Sequence, residues 1–222
     1  MKERNPFLRY FRETCVSLKW LLGPFFILLL LVLSMRIIYS RQEVYFYING
    51  LHTGVGDWLF PKITELGSTA ACIVLTVILT IYNRRQGLML GAAYILNSVV
   101  SFSLKALVAF PRPRPYFLER ALTEKLPDIY YVPGITVLDD FRSFPSGHSV
   151  CAFTAATILS YYAKNKYLSL LYFLLAVLVA YSRMYMSHHF LEDVTAGAML
   201  GIVLSVVWLS LIRIVDKRVS RP

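Results

Sequence analysis

Two histidines and two acids fall within six positions of the stretch SRMYMSHHFLED, Ser182 to Asp193, which is bracketed by long apolar runs. If Phe190 onward is helical, His189 and Asp193 stand four residues apart on one face, where a carboxylate can hold an imidazole ring in one orientation. A ring held in that way is prepared for nucleophilic or general acid–base chemistry. The same spacing pairs His188 with Glu192, so the stretch alone leaves two candidate dyads. It also fits a plainer role, a solvated interhelical loop whose acids favour the start of the next helix.

Two other segments carry complementary chemistry. In PSGH, Pro145 to His148, Ser146 is placed as an N-cap, and the free N–H groups of a first helical turn form an anion site. In KALVAFPRP, Lys105 to Pro113, Lys105 ends an apolar run and Arg112 follows it. Asn97, Ser101 and Lys105 recur every four residues, a polar stripe that also suits helix packing through small polar groups. An ionisable residue inside an apolar span is a functional candidate by default.

The elements that must position these residues are membrane helices. The chain has 222 residues, of which 57% are hydrophobic and only 16% charged, which describes an integral membrane protein in one domain, residues 1–222. A span needs about 20 largely apolar residues. Six runs qualify: 20–39, 65–82, 88–109, 145–163, 167–181 extending into the 182–193 stretch, and 193–214. The basic start, residues 1–19, precedes an apolar core with no small-residue cleavage site after it, so the first span reads as a retained signal anchor.

Between the spans, residues 40–64 read as an external connection with aromatic interfacial segments, and His52 within it as a solvent-facing loop histidine. The segments NRRQG, Asn83 to Gly87, and KNK, Lys164 to Lys166, read as tight basic turns. Residues 110–144 carry five prolines and form a long loop between spans three and four. Along span six Asp193, Gly197, Gly201 and Ser205 share a face that lets a neighbouring helix come close. The three cysteines, Cys15, Cys72 and Cys151, are too scattered to imply a disulfide framework or a cysteine metal site.

Charge sets the orientation. The face carrying both termini and the two basic turns holds thirteen Lys and Arg against Glu3, Glu13 and Asp216, a surplus of ten that equals the whole net charge. The other face holds ten cations and ten acids. By the positive-inside rule the first face is cytoplasmic, including the basic tail 215–222, and the 110–144 loop is extracytoplasmic. Cations scattered in this way form no basic surface for nucleic acid, and no nucleic-acid partner is expected.

Lys105, Arg112, PSGH and the 182–193 stretch therefore share the outer face. Three cations and a helix N-terminus suit a phosphate group, whose transfer depends on positioning and on neutralising charge spread over its equatorial oxygens. An imidazole held by Asp193 can attack phosphorus while His148 protonates the leaving oxygen. No metal is then required, since the cations take its part. A zinc site built from His148, His188, His189 and Asp193 is the rival; three nearby cations would repel the ion, and no HExxH spacing is present.

At this point the sequence resembles the type 2 phosphatidic acid phosphatases, a superfamily shared with vanadium-dependent haloperoxidases. Its signature is Lys, six residues, Arg-Pro; then Pro-Ser-Gly-His; then Ser-Arg, five residues, His, three residues, Asp. All three parts are complete between Lys105 and Asp193, in the family order. The resemblance implies that Lys105, Arg112 and Arg183 bind phosphate, assisted by Ser146 and Gly147. It implies His189 as the nucleophile forming a phosphohistidine, Asp193 as its orienting partner and His148 as the acid. It also settles the pairing, since only His189 has both required gaps, and leaves His188 as a structural neighbour.

The expectation is thus an all-α integral membrane protein, with six transmembrane helices and a long extracytoplasmic loop. It would hydrolyse a lipid phosphate monoester or pyrophosphate at the outer leaflet of a bacterial cytoplasmic membrane, with both termini cytoplasmic and no cofactor. Its partners would be a phosphorylated lipid substrate and the surrounding membrane lipids. A non-catalytic transporter or binding protein for anionic phospholipid would use the same cations without needing an oriented histidine. Vanadate-dependent oxidation fits less well, because the related haloperoxidases are soluble.

Overall fold

The computed structural model describes residues 5–219, with the side chains of 217–219 set aside. The charge count above includes Lys2, Glu3, Arg4 and Arg221, which lie outside the described residues, as do the side chains of Lys217 and Arg218. The chain forms ten α-helices among the described residues: α1 Pro6–Ser17, α2 Lys19–Ile38, α3 Arg41–Asn49, α4 Gly54–Ile63, α5 Thr69–Tyr82, α6 Arg84–Val108, α7 Pro113–Arg120, α8 Gly147–Ala163, α9 Lys166–Tyr185 and α10 Leu191–Val219. A 3-10 turn, Thr64–Gly67, joins α4 to α5.

Local chemistry fixes the helix starts. Asn5, Thr53, Ser68, Asn83 and Asn165 each accept a first-turn N–H with their side chains. Ser40 and Glu43 form a reciprocal capping box at α3. Two turns are tighter than the sequence suggested. In NRRQG only Asn83 lies outside a helix, because its side chain caps α6 and draws Arg84 through Gly87 into the first turn. In KNK, Lys164 takes a left-handed conformation and Asn165 caps α9.

Helix α8 occupies the centre, packed on α9, α10 and α6. Val150, Phe153, Thr154, Ala156, Thr157 and Ile158 bury it on all sides. The outer helices turn apolar side chains outward instead: Leu30, Leu31, Ile37, Ile73, Ile81, Ile95 and Val203 are exposed. An apolar surface of that extent belongs in lipid, and the protein is an integral membrane protein.

Four helices, α2, α6, α9 and α10, are long and apolar enough to cross a membrane. A fifth crossing is available if α4, the 3-10 turn and α5, bent by 55°, count together. The second span expected from residue 65 therefore starts later, at Thr69, and α5 alone has 14 residues. At 1.5 Å per residue that is about 21 Å, against a hydrocarbon core of ~30 Å. Helix α8, with 17 residues, reaches about 26 Å. Helical length alone thus gives four or five spans rather than the six expected.

Ionic and ring contacts gather the basic segments at one end of the bundle. Arg213 of α10 pairs with Glu13 of α1 at 2.5 Å, Arg85 of α6 pairs with Asp216, and Lys166 lies over the Trp20 ring of α2. The small-residue face of α10 is used internally. A Cβ added at Gly197 would stand 2.6 Å from the Ser146 carbonyl, and one at Gly201 2.6 Å from the Val150 carbonyl. Asn97 of α6 reaches into the same seam, donating to Thr154 Oγ1 (2.5 Å) and Ser205 Oγ (3.2 Å). This part of the polar stripe serves helix packing.

His52 does not face solvent. Its side chain is only 8% exposed, Nδ1 lies 2.9 Å from Asp57 Oδ1, and its ring packs between Tyr130 and Tyr185. Asp57 collects the Tyr130 and Tyr185 hydroxyls as well, so α4, the 110–144 segment and the end of α9 meet at one carboxylate. The acid five residues on, which sequence proximity did not single out, buries the ring.

Candidate active site

At the end of the bundle opposite the basic turns, the link between α9 and α10 is a tight reversal. The N–H groups of His188 and His189 both donate to the Arg183 carbonyl, at 3.0 and 3.2 Å. Ser187 supplies the reversal at φ 56°, a left-handed conformation uncommon outside glycine. Its hydroxyl is gripped by Tyr45 (3.0 Å) and Asn49 (3.1 Å) of α3, which holds the turn in place. The interfacial segment 40–64 therefore acts as a clamp on the histidine turn.

The reversal buries His189 to 3% exposure beside Asp193 at 1%. His189 itself precedes the helix, and its Nδ1 lies 3.4 Å from Asp193 Oδ2. On the other edge of the ring, Arg112 Nη1 donates to Nε2 at 3.2 Å. That contact makes Nε2 the acceptor and places the ring proton on Nδ1, facing the carboxylate. Burial, together with the charges of Arg183, Arg112 and Lys105, holds the imidazole well below its ordinary 6.5. The ring is neutral near pH 7, with the Nε2 lone pair directed at a guanidinium.

Arg112 is fixed from three sides. Its Nε donates to Asp140 Oδ1 (2.9 Å), its Nη1 to the His188 carbonyl (2.9 Å), and its backbone N–H to the Asp140 carbonyl (3.1 Å). Burial works against the Asp140 carboxylate, but Arg112, the Arg142 N–H and Lys105 outweigh it and hold it below its usual range. Lys105 reaches the same loop, with Nζ donating to the Arg142 carbonyl at 2.7 Å. Arg183 is 5% exposed; its Nη1 donates to Thr64 Oγ1 at 2.9 Å, and its Nε is buried without a partner.

The start of α8 closes the site. The Ser146 N–H donates to the Asp193 carbonyl at 2.9 Å, which ties the N-terminus of α8 to that of α10. Ser146 occupies the N-cap position, yet its hydroxyl caps nothing and is fully buried without a partner. The first-turn N–H groups, beginning with Gly147, have no acceptor within the helix. Buried polar groups are normally satisfied, so the unpartnered Ser146 Oγ and Arg183 Nε, beside these free donors, mark a place for an anionic ligand. His148 is half-buried, and its ring makes no hydrogen bond among the described residues.

His188 turns to the loop: Nε2 lies 3.0 Å from the Thr136 carbonyl. Burial and Arg183 push it down to about 4 against the opposing effect of that carbonyl. Glu192, its alternative partner, pairs instead with Arg36 (2.9 Å) and Arg41 (3.2 Å). Among the described residues, no three His, Cys, Asp or Glu side chains gather as a metal-ligand group.

Sequence reasoning missed Ser143 and Asp140. Ser143 Oγ donates to Asp193 Oδ2 at 2.5 Å and lies 3.4 Å from His189 Nδ1. Both residues sit in an irregular loop with no period to mark them. Their nearness to PSGH was the one available signal.

Apolar helices here carry a cluster of cations around a neutral, oriented imidazole, an arrangement suited to a phosphate group at a membrane. Comparison with known proteins makes the class specific. The family model described as PAP2 superfamily matches residues 85–216, more than half of the chain, and the chain belongs to that superfamily. It is 29% identical over 185 residues to an undecaprenyl-diphosphatase of Sulfolobus acidocaldarius, covering 79% of this chain and 84% of that one. Among solved structures it is similar to LpxE of Aquifex aeolicus, at 32% identity and a TM-score of 0.64, over 75% of this chain and 93% of that one. The PAP2 type phosphatidylglycerolphosphate phosphatase of Bacillus subtilis shares the fold, with a TM-score of 0.61 at 21% identity over 91% and 98% of the two chains.

Proposed function

We propose that the protein hydrolyses a lipid phosphate monoester or pyrophosphate presented at the outer leaflet of a bacterial cytoplasmic membrane, through a phosphohistidine and without a metal. In this reading α2, α5, α6, α8, α9 and α10 are the six spans, α5 and α8 being the short ones. The 110–144 loop and the site face outward, and both termini lie in the cytoplasm.

Lys105, Arg112 and Arg183 bind the phosphate, with the Ser146 hydroxyl and the Gly147 N–H completing the cradle. Arg112 releases His189 Nε2 and takes up a phosphate oxygen. His148 takes up a proton from water when the negatively charged phosphate binds beside it. The Nε2 lone pair then forms a bond to phosphorus as the bond to the lipid oxygen breaks, and His148 gives that proton to the departing oxygen. Asp193 holds the Nδ1 proton and stabilises the positive charge that grows on the ring. Water next attacks phosphorus, His148 accepts its proton, the N–P bond breaks and phosphate leaves. The cations balance charge on the transferring group throughout, which is where phosphoryl-transfer catalysis chiefly lies.

The observation that carries this reading is the two-sided hold on His189, with Arg112 at Nε2 and Asp193 at Nδ1. A site that only bound an anion would need the cations but not this ring. An apolar cleft of about 430 Å³ between α5 and α6, reaching Cys151 one turn below His148, offers room for the lipid tail. His189→Ala is expected to abolish phosphate release from dioctanoyl phosphatidate in detergent while leaving the melting temperature near wild type. Unchanged turnover would contradict the assignment.

A further inference from the structure

Ser143 is fully buried, and its position is fixed independently of the histidine: its N–H donates to the Phe110 carbonyl at 3.0 Å. The neighbouring Arg142 N–H is held by Asp140, and the Ser146 N–H by the Asp193 carbonyl. The side chain therefore arrives at the dyad on a braced loop, and the atoms it meets there form a triangle. Ser143 Oγ to Asp193 Oδ2 is 2.5 Å, Ser143 Oγ to His189 Nδ1 is 3.4 Å, and His189 Nδ1 to Asp193 Oδ2 is 3.4 Å.

The lengths decide the roles. A hydroxyl at 2.5 Å from a carboxylate oxygen is at the short, charge-assisted end of O–H···O⁻ geometry. Asp193 Oδ2 also accepts the Phe190 N–H at 2.9 Å. The single Ser143 proton is thus committed to Asp193, which leaves an oxygen lone pair for the Nδ1–H of His189. At 3.4 Å neither the carboxylate nor the hydroxyl alone makes a tight bond to Nδ1. The ring proton is shared between the two.

We propose that Ser143 is a positioning residue of the hydrolytic site, a hydroxyl relay that couples Asp193 to His189 and holds the imidazole for attack. The proposal rests on the reading of His189 as nucleophile. As positive charge grows on the ring, Nδ1–H draws toward Ser143 Oγ, whose own proton stays on the carboxylate side. The negative charge of Asp193 then reaches the ring through the hydroxyl as well as directly. No proton leaves Ser143, and the bonds made and broken at phosphorus are unchanged.

The test compares wild type, Ser143→Ala, Ser143→Thr, Asp193→Ala, the Ser143→Ala/Asp193→Ala double variant and His189→Ala, purified in detergent, on dioctanoyl phosphatidate. Ser143→Ala is expected to lower kcat by roughly 10–100-fold, the size of loss seen when the hydrogen-bond partner that orients a metal-bound histidine is removed, with KM nearly unchanged. Ser143→Thr, which keeps the hydroxyl, should recover most of that loss. Because the hydroxyl acts through Asp193, adding Ser143→Ala to Asp193→Ala should cost no more than about twofold further, the signature of coupled sites. Should Ser143→Ala not fold, Ser143→Cys, with a weak S–H donor in place of O–H, carries the same expectation. Wild-type kcat in Ser143→Ala, or losses that multiply in the double variant, would overturn the relay while leaving the His189 reading intact. An active His189→Ala would instead remove the reading beneath it.

Discussion

The distinction between the two histidines is set by what each ring nitrogen meets. His189 has a guanidinium at Nε2 and a carboxylate at Nδ1, whereas His188 has a backbone carbonyl at Nε2 and a buried, unpartnered Nδ1. Both rings are held neutral by burial and by Arg183, which has a consequence for stability. Their folded-state values lie below the unfolded 6.5, so the unfolded chain binds more protons as the pH falls. The stabilisation is complete above about pH 6.5 and is lost on acidification toward the folded values. The melting temperature in detergent should therefore fall between pH 7 and pH 5, and inorganic phosphate, an anion among the three cations, should reduce the fall. A midpoint that stays constant over that interval would contradict the assignment of two neutral rings.

At the scale of elements, the site depends on the seam between α8 and α10. The Ser146 carbonyl lies over Gly197 and the Val150 carbonyl over Gly201, and a Cβ at either would stand at 2.6 Å from backbone that cannot rotate away. Overpacking of this kind costs typically ~1–3 kcal/mol. Gly197→Ala should both lower the melting temperature and cut kcat/KM, because it pushes the Ser146–Gly147 cradle away from Asp193. Gly23→Ala, where nothing lies within 4 Å, should leave both unchanged or slightly raise stability. Equal melting temperatures and activities for the two variants would contradict this account of the seam.

The same elements show what the sequence could reveal. The glycine spacing of α10, the N-cap position of Ser146 and the four-residue step from His189 to Asp193 are local patterns, and each was legible in advance. Ser143, Asp140 and Thr64 reach the site from irregular backbone or a neighbouring helix, where no period announces them. His52 was misread for a related reason, since the tyrosines that cover it come from residues 130 and 185, far along the chain. Ser146 shows the limit of a local rule: it stands at the cap position, but its hydroxyl is left free beside the candidate anion site.

For the whole molecule, the contacts of Arg213 with Glu13, Arg85 with Asp216 and Lys166 with Trp20 bring the basic segments to one end, with the histidine turn at the other. Apolar length alone gives four or five crossings, because α5 and α8 are short for a span. Helix α8 matches the apolar run 145–163, but with 17 residues it is short for a span, and protein rather than lipid surrounds it. The six-span topology makes a direct prediction. In a variant without Cys15, Cys72 and Cys151, a cysteine placed at Thr123 should react with a membrane-impermeant maleimide added outside intact cells. One placed at Asn165 should react only after the membrane is opened, and the reverse pattern would invert the proposed orientation.

The central claim, that His189 carries the phosphoryl group, is tested most directly by trapping it. In His148→Ala the water-activating group is missing, while p-nitrophenyl phosphate, with its good leaving group, needs little acid assistance. The variant should release a burst of nitrophenol and retain phosphate on the protein. An alkaline quench, which preserves phosphohistidine, followed by mass spectrometry should place that phosphate on His189. Phosphate found on another residue, or a burst with none bound to the protein, would contradict the account.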